Sequence, residues 1–217
     1  MDYKNKTGNY YNVLRIEMLQ YLPDSATKIL VVGCGTGVFA EAVKKKNNAE
    51  VWGIELMDFA AKEASKILDK VLSGPCEEHI SSLPKDYFDA IYFNDVLEHL
   101  IDPYSVLADL KSNLSENGVI ISSIPNVRYH GVLRQLLFEK NWKYENHGVL
   151  DKTHLRFFTK KSIKDMYENA GYTIEKHQGI NKTRSLKPWF YNLLFLFTQM
   201  DMFFVQYATV VKKSEVL

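Results

Sequence analysis

The chain has 217 residues, of which 46% are hydrophobic and 24% are charged, a composition typical of a folded globular protein. Lysine and arginine together number 27 against 26 aspartate and glutamate residues, so the formal net charge is +1. A balance so close to zero argues against a general nucleic-acid binder, whose affinity depends on many clustered cations. We therefore expect no nucleic-acid partner.

Cysteine content and hydropathy indicate where the protein works. The sequence has only Cys34 and Cys76, too few for a disulfide framework and compatible with a reducing compartment. The first twelve residues are polar and lack the apolar run of a signal peptide. The most apolar stretch, residues 189–197, is too short to span a bilayer. These features predict a cytoplasmic protein without a transmembrane segment.

Apolar periodicity predicts helices at residues 10–22, 38–46, 60–68, from 103 onwards, and 162–170, with Asp102 and Thr159 as caps. Short apolar runs predict strands at 28–32, 50–54, 70–72, 88–93, 119–124, 172–176 and 205–211, the last as an edge or final strand. Alternating strands and helices predict an α/β fold, a doubly wound and mostly parallel seven-stranded sheet with helices on both faces. We expect a single domain over 1–217, with an irregular insertion at about 125–158 and an apolar segment at about 186–204.

A glycine-rich loop, Gly33-Cys34-Gly35-Thr36-Gly37, follows the first predicted strand and precedes a predicted helix. Glycine lets the backbone turn sharply and approach a ligand closely, and a helix N-terminus presents free N–H groups to a carboxylate or phosphate. Open parallel sheets bind ligands at the carboxyl ends of their strands, where this loop lies. The loop therefore predicts a ligand site, the alternative being a purely structural turn.

An acid at the end of the second predicted strand narrows the class of ligand. Glu55 can accept hydrogen bonds from both ribose hydroxyls of an adenosine, although a solvated acid is the alternative. The loop reads G-x-G-x-G and lacks the last glycine of the dinucleotide pattern G-x-G-x-x-G. It also lacks the lysine-containing loop that binds nucleoside triphosphates. The pattern favours an adenosine ligand without a pyrophosphate.

Three motifs in order, VVGCGTGVFAEAV, GIEL and FDAIYFNDVLEHLIDP, resemble the class I S-adenosylmethionine-dependent methyltransferases, which have a Rossmann-like fold. The likeness covers about residues 10–180 and is strongest to the group with ubiquinone-biosynthesis-like and sugar or lipopolysaccharide O-methyltransferases. It implies S-adenosylmethionine as the cofactor. Residues implied to contact its methionine part are Gly33, Cys34, Gly35 and Gly37.

The resemblance also implies contacts to the rest of the cofactor. Glu55 would hold the ribose, Leu56 would lie against the adenine and Asn94 would lie beside the sulfonium. The family usually has Gly-Asp after the third strand, where this chain has Gly74-Pro75-Cys76-Glu77. The acid that contacts the adenine amino group is thus missing, and Glu77 or the backbone N–H of Cys76 would replace it.

Methyl transfer is an in-line displacement that depends on alignment of the acceptor with the methyl group. A hydroxyl acceptor must also lose a proton, so a nearby base helps. His99, in the NDVLEHL run, is the first candidate base because a histidine titrates near neutral pH. The alternative is a histidine that only packs or caps the next segment.

The segment 125–158 is long, aromatic and basic, and long loops in compact domains are usually functional. His154 is the second candidate base and Arg156 a candidate anion clamp. Alternatively, Arg156 pairs with an acid such as Asp151 and the segment is structural. Further candidate substrate-binding residues are Asn126, Arg128 and Tyr129. We expect no metal site, because the six histidines and two cysteines show no ligand spacing.

These features predict a methyltransferase for a small-molecule acceptor, with O-methylation of a saccharide, quinone-like or lipid-linked hydroxyl as the leading hypothesis. An N- or C-methyltransferase, a cofactor-binding protein without catalysis and a nicotinamide-linked oxidoreductase are the alternatives. The run Asn94-Asp95-Val96-Leu97 differs from the (Asp/Asn)-Pro-Pro-aromatic run of N6-adenine and amide methyltransferases.

The segment 186–204 is expected to pack over the sheet edge or form a dimer surface. The alternative roles are a lid over a lipid-like acceptor or contact with a membrane surface.

Overall fold

The computed structural model describes residues 11–214, in which seven strands form one sheet. The strands are β1 (Lys28–Val32), β2 (Glu50–Glu55), β3 (Lys70–Ser73), β4 (Phe88–Asn94), β5 (Leu114–Pro125), β6 (Tyr172–Lys182) and β7 (Phe204–Lys213). Their spatial order is β3-β2-β1-β4-β5-β7-β6. The first five strands pair in parallel, while β7 pairs antiparallel with both β5 and β6. The predicted mostly parallel, seven-stranded α/β sheet is confirmed.

The last strand, β7, does not lie at the edge of the sheet, which was one of its two predicted positions. β7 is the final strand of the chain, as one of the two alternatives predicted, but it lies inside the sheet and β6 forms the edge. The continuous burial of residues 206–211 explains this, because a strand covered on both faces is apolar without alternation. β6 instead exposes polar side chains such as Glu175 and Lys176, as an edge strand can.

Helices cover both faces of the sheet, as the alternating pattern predicts. They are α1 (Val38–Asn47), α2 (Asp58–Ala64), α3 (Cys76–His79), α4 (Pro103–Leu110), α5 (His130–Leu137), α6 (Lys160–Asn169) and α7 (Lys187–Leu194). In β1, Ile29 and Val31 join a core cluster with α1, whereas Leu30 and Val32 join one with α4 and α6. Alternate residues of one strand therefore anchor helices on opposite faces.

Two helix starts follow from local capping chemistry. The Asp102 side chain accepts hydrogen bonds from the backbone N–H groups of Tyr104 and Ser105, with Pro103 at the first helical position of α4. Thr159 forms a capping box with Ser162 at the start of α6. Both predicted caps are confirmed, and replacing either with alanine should cost about 1 kcal/mol.

The helix predicted at residues 10–22 is confirmed only in part. A 3-10 helix covers Ile16–Tyr21, residues 12–15 are not helical, and residue 10 lies outside the described residues. The preceding segment lies against the glycine loop, because the backbone N–H of Thr36 donates to the carbonyl of Tyr11 across 3.1 Å. A tertiary contact thus overrides the apolar periodicity. The helix predicted to reach residue 68 likewise ends at Ala64, and short turns follow it.

Candidate cofactor and acceptor site

A cavity of about 420 Å³ opens at the carboxyl ends of β1, β2 and β4, within the size range of small-molecule sites. β1 lies between β2 and β4 in the sheet, so this crevice is where the strand order reverses, the usual ligand site of such folds. All predicted cofactor residues except Gly37 line it: Gly33, Cys34, Gly35, Glu55, Leu56, Cys76, Glu77 and Asn94.

The glycine loop depends on backbone conformations and close contacts that exclude larger residues. Gly33 and Gly35 have φ of +69° and +56°. A Cβ at Gly35 would lie 2.5 Å from the carbonyl oxygen of Tyr11. Gly37, at the start of α1, has φ +90°, and a Cβ there would lie 3.2 Å from Cα of Ala64. Gly33 and Gly35 therefore shape the cavity wall, whereas Gly37 allows α1 to pack beside α2.

Glu55 is held at the base of the cavity by backbone groups. Its carboxylate accepts hydrogen bonds from the N–H of Gly35 at 2.8 Å and of Met57 at 2.9 Å, one on each oxygen. The side chain is only 6% exposed, and burial raises the pKa of its carboxyl. Each carboxylate oxygen retains capacity for a second donor. The arrangement therefore fits the two hydroxyls of a ribose.

Two further parts of the cavity wall bear on the ligand. Asn94 ends β4, and neither its amide nitrogen nor its amide oxygen has a hydrogen-bond partner within residues 11–214. A buried amide without partners costs free energy, so a ligand with donors and acceptors would satisfy it. Burial raises the pKa of the Cys76 thiol, so this side chain packs as a neutral group beside Glu77 at the cavity rim.

The segment before the 3-10 helix forms one wall of the cavity, and sequence reasoning missed it. Tyr11, Val13 and Arg15 all line the cavity. The Arg15 guanidinium pairs with the carboxylate of Asp95 and donates to Ser123 Oγ at 2.9 Å. It thereby joins the N-terminal segment to the ends of β4 and β5.

A second cavity of about 140 Å³ adjoins the first, and Asp95 and His99 line both. The other polar side chains around it include Glu98 and Asp151, together with His154 from the insertion. A group bound in the second cavity would therefore lie next to a ligand in the first. This arrangement suits an acceptor beside a cofactor.

The two predicted bases lie together, with ring centroids 4.7 Å apart. His99 Nδ1 is 3.0 Å from the carbonyl oxygen of Thr153, and His154 Nδ1 is 3.0 Å from that of Val149. A carbonyl only accepts, so each Nδ1 must carry a proton to make this bond. In the neutral rings, Nε2 is then the basic atom.

Glu98 lines the second cavity together with the two histidines. It is 1% exposed, and neither carboxylate oxygen has a hydrogen-bond partner within the described part of the chain. Its Oε1 is 3.8 Å from His154 Nε2. Burial, reinforced by the nearby carboxylate of Asp95, raises the pKa of Glu98 well above its usual range. Glu98 is therefore an acid that favours its protonated form unless a positive charge arises beside it.

Glu98, His99 and His154 each place one ligand-type atom within 4.8 Å of the others. Such a group can hold a proton or a cation. The expectation of no metal site rested on spacing along the chain, and spacing could not reveal this cluster. His154 enters it from the insertion through tertiary structure alone.

The four predicted substrate-binding residues lie outside both cavities and have partners in the protein. Asn126 is fully buried and donates to the carbonyls of Asp201 and Phe204 at 2.9 Å. Arg128 pairs with the Asp201 carboxylate. These contacts hold the start of the insertion against the beginning of β7.

The remaining two candidates also have partners within the protein, one a sequence neighbour and one distant in sequence. The Tyr129 ring packs against the neighbouring His130 at 4.5 Å. Arg156 donates to the carbonyl of Ile101 rather than to Asp151. The pairing of Arg156 with an acid such as Asp151 was the structural alternative; Asp151 instead accepts two hydrogen bonds from Thr153 on one carboxylate oxygen.

Comparisons with known proteins agree with this fold. A family model described as a methyltransferase domain matches residues 7–177. A ubiquinone biosynthesis O-methyltransferase of Histophilus somni is 31% identical over 126 residues, 53% of this chain and 52% of that protein. The chain thus spans about half the length of the curated relatives it matches.

Solved structures share the fold at low identity. A SAM-dependent methyltransferase from Archaeoglobus fulgidus has a TM-score of 0.71 and 19% identity over 95% of each chain. The [4+2]-cyclase SpnF has a TM-score of 0.62 and 15% identity over 96% of this chain and 82% of that one. Because the methyltransferase family model covers most of the sequence and the fold agrees with it, the chain belongs to the class I S-adenosylmethionine-dependent methyltransferase family, whose cofactor is S-adenosylmethionine.

Proposed function

We propose that the protein transfers a methyl group from S-adenosylmethionine to a hydroxyl group of a small-molecule acceptor. The observation that carries this proposal is the cluster of Glu98, His99 and His154 in the cavity next to the cofactor cavity. A hydroxyl must lose a proton when it is methylated, and this cluster can accept one. The name of the Histophilus somni relative, an O-methyltransferase, supports the same reaction type.

The first cavity has the groups needed to hold the cofactor. S-adenosylmethionine supplies a methyl group bound to a positively charged sulfur. The Glu55 carboxylate would accept hydrogen bonds from the ribose, and the half-exposed Leu56 side chain would cover the adenine. Asn94 would pair its unsatisfied amide with polar groups of the ligand at the end of β4. The loop at Gly33 and Gly35 leaves room for the methionine part.

The second cavity would orient the acceptor hydroxyl toward the methyl group, and alignment of this kind can contribute on the order of 7–11 kcal/mol. His99 lines both cavities, so its Nε2 can take the hydroxyl proton. The carbonyl of Thr153 holds the ring in the required tautomer. The new positive charge on His99 would favour the ionised form of Glu98, which stabilises it in turn.

The walls of the second cavity support one class of acceptor. Apolar side chains of Pro125, Val149 and Val205 line it together with the acid–base cluster. An acceptor with an apolar portion beside its hydroxyl, such as a quinone-like or lipid-linked compound, would satisfy both kinds of wall. A saccharide hydroxyl would use the polar side mainly.

Two alternatives to O-methylation have support: a reaction other than methyl transfer, and methylation of a nitrogen or carbon atom. The fold of SpnF resembles this chain although that protein is a [4+2]-cyclase, so the fold does not by itself imply methyl transfer. An N- or C-methyltransferase would use the same cofactor cavity.

The state of the cysteines bears on the location of the protein. Both buried cysteines, Cys34 and Cys76, are free thiols, which supports the cytoplasm.

The proposal is tested by incubating the protein with methyl-labelled S-adenosylmethionine and three acceptors: a catechol with a short prenyl chain, a hexose glycoside and a primary amine of matching size. We expect label on the oxygen of a hydroxyl acceptor. Label on the amine alone would support the N-methyltransferase instead. Binding of S-adenosylhomocysteine without transfer to any acceptor would support the cofactor-binding alternative.

A further inference from the structure

An exposed apolar face extends over α7, the residues after it and the end of α5. Its large side chains are mostly in solvent, with Leu194 80% and Leu196 83% exposed. The ring of Phe138 stacks on that of Tyr191 with centroids 5.8 Å apart, which joins the two helices into one surface. We call this surface the apolar face and define it by Leu137, Phe138, Leu186, Phe190, Leu194 and Leu196.

The apolar face is held in place by specific contacts. The fully buried Asn192 donates its side-chain amide to the carbonyls of Pro188 and Gln199 at 2.9 and 3.1 Å, and its oxygen accepts from the backbone N–H of Gln199. The half-exposed Trp189 ring packs against the buried ring of Phe203, with centroids 5.1 Å apart, next to the start of β7. These contacts therefore fix α7 and the residues after it against the start of β7, and the exposed side chains project from this fixed segment.

The backbone itself is strained where the face is most exposed. Leu196 and Phe197 have φ of +49° and +59°, a region that large apolar residues rarely adopt. Such conformations cost free energy and persist only when surrounding contacts impose them. Leu196 is mostly exposed, so burial of its side chain within the described residues does not offset the free energy of this backbone strain. Its side chain is therefore available to an apolar surface outside the protein.

Charges around the apolar face indicate what that surface is. Residues 182–200 contain Lys182, Arg184 and Lys187 and no acidic residue. Near the end of α5, Lys140 and Lys143 add two cations beside the acids Glu139 and Glu145, and Glu139 pairs with Arg134, so this part stays weakly basic. The whole chain has a formal net charge of only +1, so this basic border is a local feature. It would repel a second copy of the same face and attract an anionic surface.

We propose that the apolar face inserts into the interface of an anionic lipid bilayer, with its basic border at the level of the lipid phosphates. Apolar side chains beside lysine and arginine are the usual features of helices that lie in the bilayer interface. α7 has eight residues, and within residues 11–214 no helix is long and apolar enough to cross a membrane. The protein would therefore lie on the bilayer.

The position of the apolar face relative to the candidate site gives this contact a use. Phe203, which packs under Trp189, is two residues before Val205, and Val205 lines the acceptor cavity. An acceptor with a lipid tail could thus remain in the bilayer while its head enters that cavity. Binding to vesicles can be measured without methyl transfer, so this inference is tested separately from the proposed reaction.

The test is co-sedimentation of the full chain with vesicles of equal parts phosphatidylcholine and phosphatidylglycerol, compared with phosphatidylcholine alone. We expect binding to the anionic vesicles that weakens with added salt and is much lower without phosphatidylglycerol. The double variant Phe190→Ser with Leu194→Ser should partition about tenfold less or weaker still. Its matched control, Ile16→Ser with Tyr104→Ser, removes two exposed side chains elsewhere and should bind as the parent does.

A second pair of variants tests the charges. Arg184→Gln with Lys187→Gln should lower the affinity for anionic vesicles about tenfold, whereas Lys161→Gln with Lys164→Gln on α6 should leave it unchanged. All variants should keep the parental affinity for S-adenosylhomocysteine, which shows that they fold. The proposal is overturned if the parent protein does not bind anionic vesicles, or if test and control variants lose binding equally. It is also overturned if the apolar variant only disperses a dimer, since the occupant is then a second copy.

Discussion

The Glu55 carboxylate accepts a hydrogen bond from the backbone N–H of Gly35 across 2.8 Å, which joins the end of β2 to the loop after β1. One side chain therefore fixes the loop and also lines the cavity that the loop forms. Because Glu55 is buried, every donor that reaches it must come from the protein or from the ligand. This dual role makes Glu55 the most informative residue to change.

Replacing Glu55 with glutamine should weaken binding of S-adenosylhomocysteine about 10- to 100-fold, because hydrogen bonds to a charged group contribute more than those to an amide. The glutamine amide group would also direct N–H donors at the N–H of Gly35 or Met57. Titration calorimetry measures the effect. The exposed acid Glu78, changed to glutamine, is the control and should bind as the parent does. Equal affinity in the two variants would contradict the ribose assignment.

The Gly35→Ala variant should lose both stability and cofactor affinity. Its Cβ would lie 2.5 Å from the Tyr11 carbonyl and must displace the N-terminal wall of the cavity. Gly148 is the matched control: it has φ +83°, but no described atom lies within 4 Å of its Cβ position. Gly148→Ala should thus show only backbone strain, about 1 kcal/mol. Thermal unfolding with and without S-adenosylhomocysteine compares them, and similar losses in both would refute the role of the contact with Tyr11.

Changing His99 to glutamine should lower the rate of methyl transfer by roughly 10²- to 10⁴-fold while leaving the affinity for S-adenosylhomocysteine nearly unchanged. Glutamine keeps polar atoms at the site but cannot act as a base near neutral pH. His177→Gln is the control, since that ring stacks on Tyr207 away from both cavities. A variant at His99 with the parental rate and pH profile would remove it from the mechanism.

Glu98 predicts a pH dependence of stability. Its folded-state pKa is raised by burial, so between the usual glutamate pKa and this raised value the folded state binds more protons than the unfolded state. Stability therefore falls as pH rises from about 4.5 through that window. Glu98→Gln should remove this part of the loss and be more stable than the parent at neutral pH. Melting temperatures across pH measure it, with Glu78→Gln as the control. A loss at neutral pH in Glu98→Gln would contradict the assignment.

Elements set by local pattern were predictable from the sequence. β1 has the predicted bounds, because a short apolar run ended by glycine favours a buried strand. The caps at Asp102 and Thr159 are also local, since each depends on a side chain within three residues of the N–H it accepts. Glu55 was found because its position at the end of β2 follows from strand length alone.

Features made by contacts distant in sequence were not predictable. Arg15 seemed part of a helix, yet it lies beside Asp95, eighty residues away along the chain. Glu98 was overlooked within NDVLEHL because its inward orientation depends on the 3-10 helix Leu97–His99. The basic and polar residues chosen as substrate-binding, such as Arg128, are paired with Asp201 near β7. Residue type indicated their chemistry, but only the fold shows what that chemistry is used for.

We expect the cavity at the carboxyl ends of β1, β2 and β4 to bind S-adenosylmethionine. The most direct test is calorimetric titration of the purified protein with S-adenosylmethionine, S-adenosylhomocysteine and NAD. We predict binding of the first two ligands, weakened by Glu55→Gln, and no binding of NAD. Absence of binding by both sulfur ligands, or preferential binding of NAD, would contradict the assignment of this cavity to S-adenosylmethionine.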